Sequence, residues 1–301
     1  MTGRPGAPAG PPAPPLAIAG ALALLCLIWG TTWKVIQIGL RGIPPFTGVS
    51  ARFLLAGVLL WALARARGVV LGRSARERAL WVVNGVLSFG VSYGVVYWSE
   101  QWVPSGLAAI LFATYPLLVA VLAHFVLPAE ALTRRDVVGV LLGFGGVGLI
   151  YSEDLSLLGG PQVALAAAVM LASPVASAAS SVAIKRWGAG VHPWSLSSVP
   201  MILAGVALGG VALAAESDRT VALDPVSVTA LLYLAIFGSA VTFSVYYWLL
   251  ARLPVKRLAL IAYVIPIVAV ILGTLSGEPL TWRILLGAAL VIGGVAIAVQ
   301  R

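Results

Sequence analysis

Three charged residues stand in or beside stretches that are otherwise apolar: Lys34, Arg52 and Glu100. A charge at the centre of a bilayer-spanning helix costs about 2.5–3.5 kcal/mol on insertion scales, so such residues are functional candidates by default. Lys34 closes the string Trp29-Gly-Thr-Thr-Trp33-Lys34. A cation beside aromatic faces can hold a carboxylate while the rings cover the apolar part of the same solute. Lys34 is therefore read as lining one half of a solute pathway; the plain alternative is an ammonium that snorkels to the interface. Glu100 is read as a partner for these cations or as a carrier of protons, with an exposed loop acid as the plain alternative, and Arg52 as a charge partner whose plain alternative is again snorkelling.

Around these charges lie aromatic and hydroxyl side chains in runs that would otherwise be aliphatic. Trp29, Thr32, Trp33, Tyr93, Tyr97, Ser105, Ser177, Ser181, Tyr246 and Tyr263 are the candidates for contact with a small solute. Tyr93 and Tyr97 are spaced i, i+4, as are Ser177 and Ser181, so each pair shares a helix face. Taken singly, such residues equally serve as interfacial belts or helix-packing surfaces. Pro116 and Pro266 interrupt two apolar runs and each lacks a backbone donor, which marks them as hinge candidates. No cluster of carboxylates, His or Cys suits a metal ion, and the one cysteine, Cys26, excludes a disulfide framework. Ser105 with His124 or His192 makes no recognisable dyad. The sequence has no Gly-x-Ser-x-Gly elbow, His-Glu-x-x-His pair or Walker-type phosphate loop, so an enzyme and an ATP-driven pump are both disfavoured.

The elements that must position these residues follow from composition. With 60% hydrophobic and 10% charged residues over 301 positions, the chain is an integral membrane protein. Apolar runs able to cross about 30 Å of hydrocarbon fall at Leu16–Ile36, Phe46–Ala64, Leu80–Trp98, Ser105–Leu127, Val137–Tyr151, Pro161–Ile184, Pro193–Ala215, Val226–Leu250, Lys256–Ser276 and Trp282–Val299. Residues 1–15, rich in Pro, Gly and Ala, read as a disordered cytoplasmic tail.

The remainder repeats itself. Tyr97-Trp98, Pro104 and Pro116 recur as Tyr247-Trp248, Pro254 and Pro266, and the string Glu130-x-Leu-Thr-x-Arg135 recurs as Glu278-x-Leu-Thr-x-Arg283. Two five-helix units are expected, 16–151 and 161–300, and the odd number inverts one against the other. With both termini in the cytoplasm, 14 of the 19 basic residues fall in cytoplasmic segments and only Arg41, Arg219 and Arg283 outside. The net charge of +9 is thus spread over loops beside an anionic leaflet and needs no nucleic acid.

Trp29-Gly-Thr-Thr-Trp33, Pro44-Pro45-Phe46 with Arg52, Gln101-x-Val-Pro-Ser-Gly106 and the repeated Glu-x-Leu-Thr before a Gly-rich run resemble the EamA-type transporters of the drug/metabolite transporter superfamily. The resemblance runs from about Leu16 onward. It implies an all-α membrane fold of ten transmembrane helices in two inverted five-helix repeats. It also implies a secondary transporter of the cytoplasmic membrane, often an exporter of amino acids, related metabolites or drugs. The expected partners are a small-molecule substrate and the bilayer, with no cofactor. Lys256-Arg257 is similar to a basic pair that phosphate-carrying relatives use for anions; here it is read as a cytoplasmic anchor. The reading outside transport is a membrane sensor or non-catalytic structural protein on the same fold.

Overall fold

The computed structural model describes residues 14–128, 130–151, 162–259 and 261–299. The expected tail up to residue 13, the linker 152–161, Arg301 and the side chain of Tyr263 lie outside the described residues. Fifteen α-helices follow in chain order: α1 Pro15–Gly39, α2 Pro45–Ala66, α3 Ala75–Asn84, α4 Tyr93–Ser99, α5 Ser105–Phe112, α6 Tyr115–Val126, α7 Arg134–Tyr151, α8 Val163–Met170, α9 Ala172–Trp187, α10 Pro193–Ala215, α11 Pro225–Ala235, α12 Thr242–Arg252, α13 Val255–Leu258, α14 Ile261–Leu275 and α15 Trp282–Val299.

Several of these merge into longer runs. Seven continuous helical stretches among the described residues are long and apolar enough to cross a membrane: Pro15–Gly39, Pro45–Ala66, Ala75–Ser99, Ser105–Val126, Val163–Trp187, Pro193–Ala215 and Pro225–Arg252. The remaining expected runs are present as the shorter helices α7, α14 and α15. Helix starts follow local chemistry. Proline occupies the first turn of α1, α2, α10 and α11, where its missing N–H has no intrahelical partner to lose.

Among the described residues two π-helical segments, Gly85–Ser92 between α3 and α4 and Ile236–Val241 between α11 and α12, lie at matching places in the two halves of the chain. Such bulges release backbone carbonyls from the regular ladder and re-aim the side chains beyond them. Pro116 sits in the first turn of α6, after a turn at Ala113-Thr114, so it opens a helix and does not interrupt one. Pro266 does lie inside α14.

Large apolar side chains such as Leu27, Phe125, Leu141, Leu213 and Leu275 point outward, while arginine, glutamate, asparagine and serine side chains are buried within. Lipid tails are as apolar as leucine, so association between the helices must come from close packing and internal hydrogen bonds. The helix pairings show both. α1 packs on α14, α2 on α10, α6 on α9 and α7 on α15, each pair joining the two halves of the sequence. Gly57 on α2 and Gly205 on α10 are the contact points of one pair: a Cβ on Gly57 would come within 2.8 Å of the Ser198 carbonyl, and one on Gly205 within 2.8 Å of Leu54. Ser50 Oγ also donates to the Gly205 carbonyl at 2.7 Å. In the α7–α15 pair, a Cβ on Gly146 would lie 2.6 Å from the Gly287 carbonyl, and one on Gly294 2.5 Å from that of Gly139. The glycine-rich runs therefore bring backbones together.

Candidate functional site

Arg52 is wholly buried on α2, among the largest side chains to be so. Its guanidinium donates from Nε to Ser239 Oγ at 2.8 Å and from Nη2 to the Gly238 carbonyl at 2.9 Å, with Tyr97 Oη at 3.4 Å from Nη1. Gly238 and Ser239 belong to the second π segment, whose irregular turn presents that carbonyl. Gly238 must stay small, because a Cβ there would meet Thr32 at 3.0 Å and the guanidinium at 3.3 Å. The guanidinium carbon also lies 4.8 Å from the Tyr93 ring centroid and 5.5 Å from that of Phe53. Among the described residues no carboxylate comes within 4 Å of Arg52. It is a buried cation held by neutral acceptors and π faces.

Beside it stands an aromatic cluster. Trp29 packs edge-on against Phe243 with centroids 5.3 Å apart and tilts against Tyr246 at 5.6 Å; Phe89, Phe53 and Tyr93 continue the contact. Buried hydroxyls line the cluster. The hydroxyls of Tyr115, Tyr246 and Ser181 form a hydrogen-bonded triangle, 2.8 Å between the tyrosines and 3.0 and 2.9 Å from them to Ser181, in which each hydroxyl donates once. Asn84 joins Tyr247, Ser180 and the Leu196 carbonyl, and Ser92 bonds Ser173 and Ser177. Nearly every polar atom in this interior has a partner, as a membrane core demands. Among the described residues the Trp29 indole N–H has none, and neither has the buried hydroxyl of Thr242, the residue before Phe243.

The two ends of the bundle are closed by carboxylates that reach across the halves. At one end Glu278 accepts from Lys34 Nζ at 2.8 Å, Ser105 Oγ at 2.6 Å and the Gly106 amide at 3.1 Å, so it caps α5. At the other, Glu130 accepts from the Val255 and Lys256 amides at 3.3 and 3.4 Å and caps α13. The two glutamates are the equivalent positions of the repeated Glu-x-Leu-Thr string, and the capped residues are equivalent too. Contacts within each half lie at the same two ends. Gln37, one turn beyond Lys34, donates to the Val103 carbonyl at 3.2 Å, and Lys185 donates to those of Leu250 and Leu253 at 2.8 and 2.7 Å. Glu278 keeps its proton loosely: burial pushes its carboxyl up, but the donors Lys34, Ser105 and Gly106 outweigh that and hold it below the usual carboxylate range.

Further carboxylates secure the same two ends. Glu216 accepts from the Phe46 and Thr47 amides at 2.7 and 2.8 Å, donors that Pro44-Pro45 leaves without local partners, and Glu77 accepts from Ser195 at the start of α10. A hollow of about 860 Å3 opens at the Lys185 end between α1, α12 and the loop before α10, edged by Arg73, Glu77, His192 and Arg252. A second, of about 770 Å3, is a groove of apolar helix faces around Gly85, Gly94 and Leu208. Neither touches Trp29 or Arg52.

Comparison with known proteins gives this interior its context. The EamA-like transporter family matches residues 16–152 and again residues 164–300. The chain belongs to the EamA-like transporter family. The inner membrane transporter YedA of Escherichia coli K12 is 34% identical over 270 residues, covering 88% of this chain and 85% of its own. A transporter of Archaeoglobus fulgidus is 27% identical over 283 residues, 93% of this chain and 98% of the relative. A crystal structure of a protein 22% identical to this one shares the fold, with a TM-score of 0.72 over 94% of this chain and 96% of that one. This EamA family member is a membrane transporter, embedded in the bilayer and acting on a small molecule.

The expected site residues of this EamA-family chain separate into groups. Trp29, Tyr246 and the hydroxyls of Ser177 and Ser181 enter the central network, while Tyr93 and Tyr97 flank Arg52. Thr32 turns its hydroxyl back to the Trp29 carbonyl at 2.8 Å, and Trp33 packs on Phe112 at 5.5 Å. Lys34 and Ser105 both go to Glu278. Glu100 is buried, with no hydrogen-bond partner on either oxygen among the described residues. Sequence alone did not reveal Glu278 and Glu130 as cross-half contacts, nor Lys185 as a donor to the Leu250 and Leu253 carbonyls. The signal for the glutamates was available, because both sit in the duplicated string.

Proposed function

We propose that this protein is a secondary transporter that exports small amphipathic metabolites, such as amino acids, or planar drugs across the cytoplasmic membrane by alternating access. Ten transmembrane helices in two inverted five-helix repeats, residues 16–151 and 161–300, form the moving bodies, and both termini face the cytoplasm. The observation that carries the reading is the buried Trp29 indole N–H, which has no partner among the described residues. Such a donor inside an aromatic cluster between the halves suits a solute with one polar group and an apolar body. Inverted repeats place their substrate sites in just such an interface.

The reciprocal glutamates supply the movement. Glu278 closes the Lys34 end, which the charge bias makes external, and Glu130 closes the Lys185 end, which is cytoplasmic. Each cap must break for its end to open. Both caps are formed in the arrangement described, Glu278 with Lys34 and Ser105 added and the Glu130 end with the Lys256–Asp136 ion pair at 3.0 Å, so both ends are closed in it. Arg52 is taken as a fixed cation of the pathway wall, and Pro266 as the hinge within α14, with Pro116 marking the matching turn before α6.

Counterflow in proteoliposomes tests this directly. Vesicles loaded with unlabelled tryptophan or a planar aromatic amine should accumulate the labelled solute transiently; a screen of aromatic, amphipathic and carboxylate-bearing solutes with no counterflow from any would refute it. Orientation has its own check. In whole cells lacking Cys26, an impermeant thiol reagent should label Ser217→Cys and not Ser74→Cys, and equal labelling would contradict the inverted arrangement.

A further inference from the structure

One buried titratable group has no role in the site described so far. Glu100 ends α4, immediately after the span that closes at Ser99, and is 4% exposed. Among the described residues neither carboxyl oxygen has a hydrogen-bond partner, the neighbouring Ser99 hydroxyl has none either, and no lysine or arginine lies within 4 Å of Glu100. As the C-terminal cap of its helix, Glu100 also faces carbonyl ends, which disfavour a negative charge there.

The charged surroundings come from every side that carries ionisable groups. Lys34 acts from α1, Arg52 from α2, Tyr97 from the preceding turn and Glu278 from the α14–α15 connection. α8, which also packs on α4, has no ionisable residue, and those of α9, Lys185 and Arg186, sit in its last turn. Lys34 is already committed to Glu278 and Arg52 to Ser239 and Gly238. An ionised Glu100 would therefore stand buried with no hydrogen bond to either oxygen among the described residues and with both nearby cations joined to other acceptors, an unfavourable condition for a carboxylate.

We propose that Glu100 is a proton-binding site linked to closure of the Lys34 end: its carboxyl is neutral while Lys34 and Glu278 are joined, and it releases its proton to external water when that end opens. Burial, then the nearby Glu278 carboxylate, push its carboxyl well above the usual range, against the weaker pull of Arg52 and Lys34. Opening admits water and returns it to an ordinary value of about 4.3. Between the two values the closed form holds a proton that the open form lacks. Each unit of rising pH in that window then favours opening by up to about tenfold. The assignment of this end as external rests on the transport reading; the linkage between proton and opening does not.

The test uses the full chain in detergent with Cys26 replaced and a reporter at Val103→Cys, a buried position in the turn that Glu278 and Gln37 hold. Thiol labelling rates are measured from pH 5 to pH 8 and divided by those of the exposed Ser217→Cys, which removes the intrinsic pH dependence of the thiol. The normalised rate should climb steeply with pH, and Glu100→Gln, which has the shape of the protonated acid, should be slow at every pH. A normalised rate that is flat in the wild-type background, or a climb that survives Glu100→Gln unchanged, overturns the proposal. Because labelling reports the end of the bundle and not solute movement, the result is independent of whether counterflow is found.

Discussion

Lys34→Met separates two physical roles for the same side chain. In the structure its ammonium is joined to Glu278 at 2.8 Å, with the two side chains 13% and 14% exposed. Removing one member of a fully buried ion pair costs about 3–5 kcal/mol, and of an exposed pair about 0–1. Glu278 keeps Ser105 and Gly106 as donors after the substitution. The cost to the closed form should therefore be about 2 kcal/mol, between those limits, or a shift of about 30-fold toward opening. Labelling of Val103→Cys at pH 7 should rise by up to that factor. Adding Glu278→Gln removes the stranded charge and keeps an acceptor for Ser105, so the double variant should label several-fold more slowly than Lys34→Met alone. The pair itself should not respond to pH in the working range. Glu278 is depressed below the ordinary carboxylate value, so its contribution is complete above about pH 4.3 and fades only as pH falls through its lowered value. If Lys34→Met labels like the parent yet abolishes counterflow of carboxylate-bearing solutes while sparing neutral ones, Lys34 is a substrate ligand and the reasoning from Glu278 is wrong.

Two further outcomes follow from the interior. Trp29→Phe removes an N–H that has no protein partner, so thermal stability should change little while solute affinity falls roughly fivefold, the worth of about one hydrogen bond; a large loss of stability with unchanged affinity would show a purely structural indole. Arg52→Lys cannot reproduce donors to Ser239 and Gly238 together with stacking on Tyr93, and leaves a desolvated ammonium. It should lower stability by about 2–3 kcal/mol, seen as a fall in the detergent melting temperature, whereas a variant as stable as the parent would mean that water reaches the site.

Much of the architecture was legible in sequence because a bilayer makes burial and composition nearly equivalent: apolar runs became helices, and their order repeated. The π segments at Gly85–Ser92 and Ile236–Val241 were not legible, since one extra residue in a turn leaves no periodic trace. The duplicated Glu-x-Leu-Thr string was visible as a repeat, but its role required knowing that each glutamate meets the other half of the chain. For the same reason Lys34 read as a free cation: its partner, Glu278, is 244 residues away. Pro116 read as a helix interruption because the turn at Ala113-Thr114 lies in an unbroken apolar run. Arg52 was legible from its charge and its place after Pro44-Pro45-Phe46, but its neutral acceptors on the π segment were not.

The account stands on the two ends being alternatives, and paired cysteine reporters test that most directly. Val103 and Leu253 are equivalent buried positions at the Lys34 and Lys185 ends, each held by its own carbonyl contact. In the full chain lacking Cys26, Glu278→Gln should raise labelling at Val103→Cys and lower it at Leu253→Cys, and Glu130→Gln should do the reverse. Labelling that rises at both reporters in either variant would show that the glutamates merely hold the bundle together, and would contradict alternating access through these two closures.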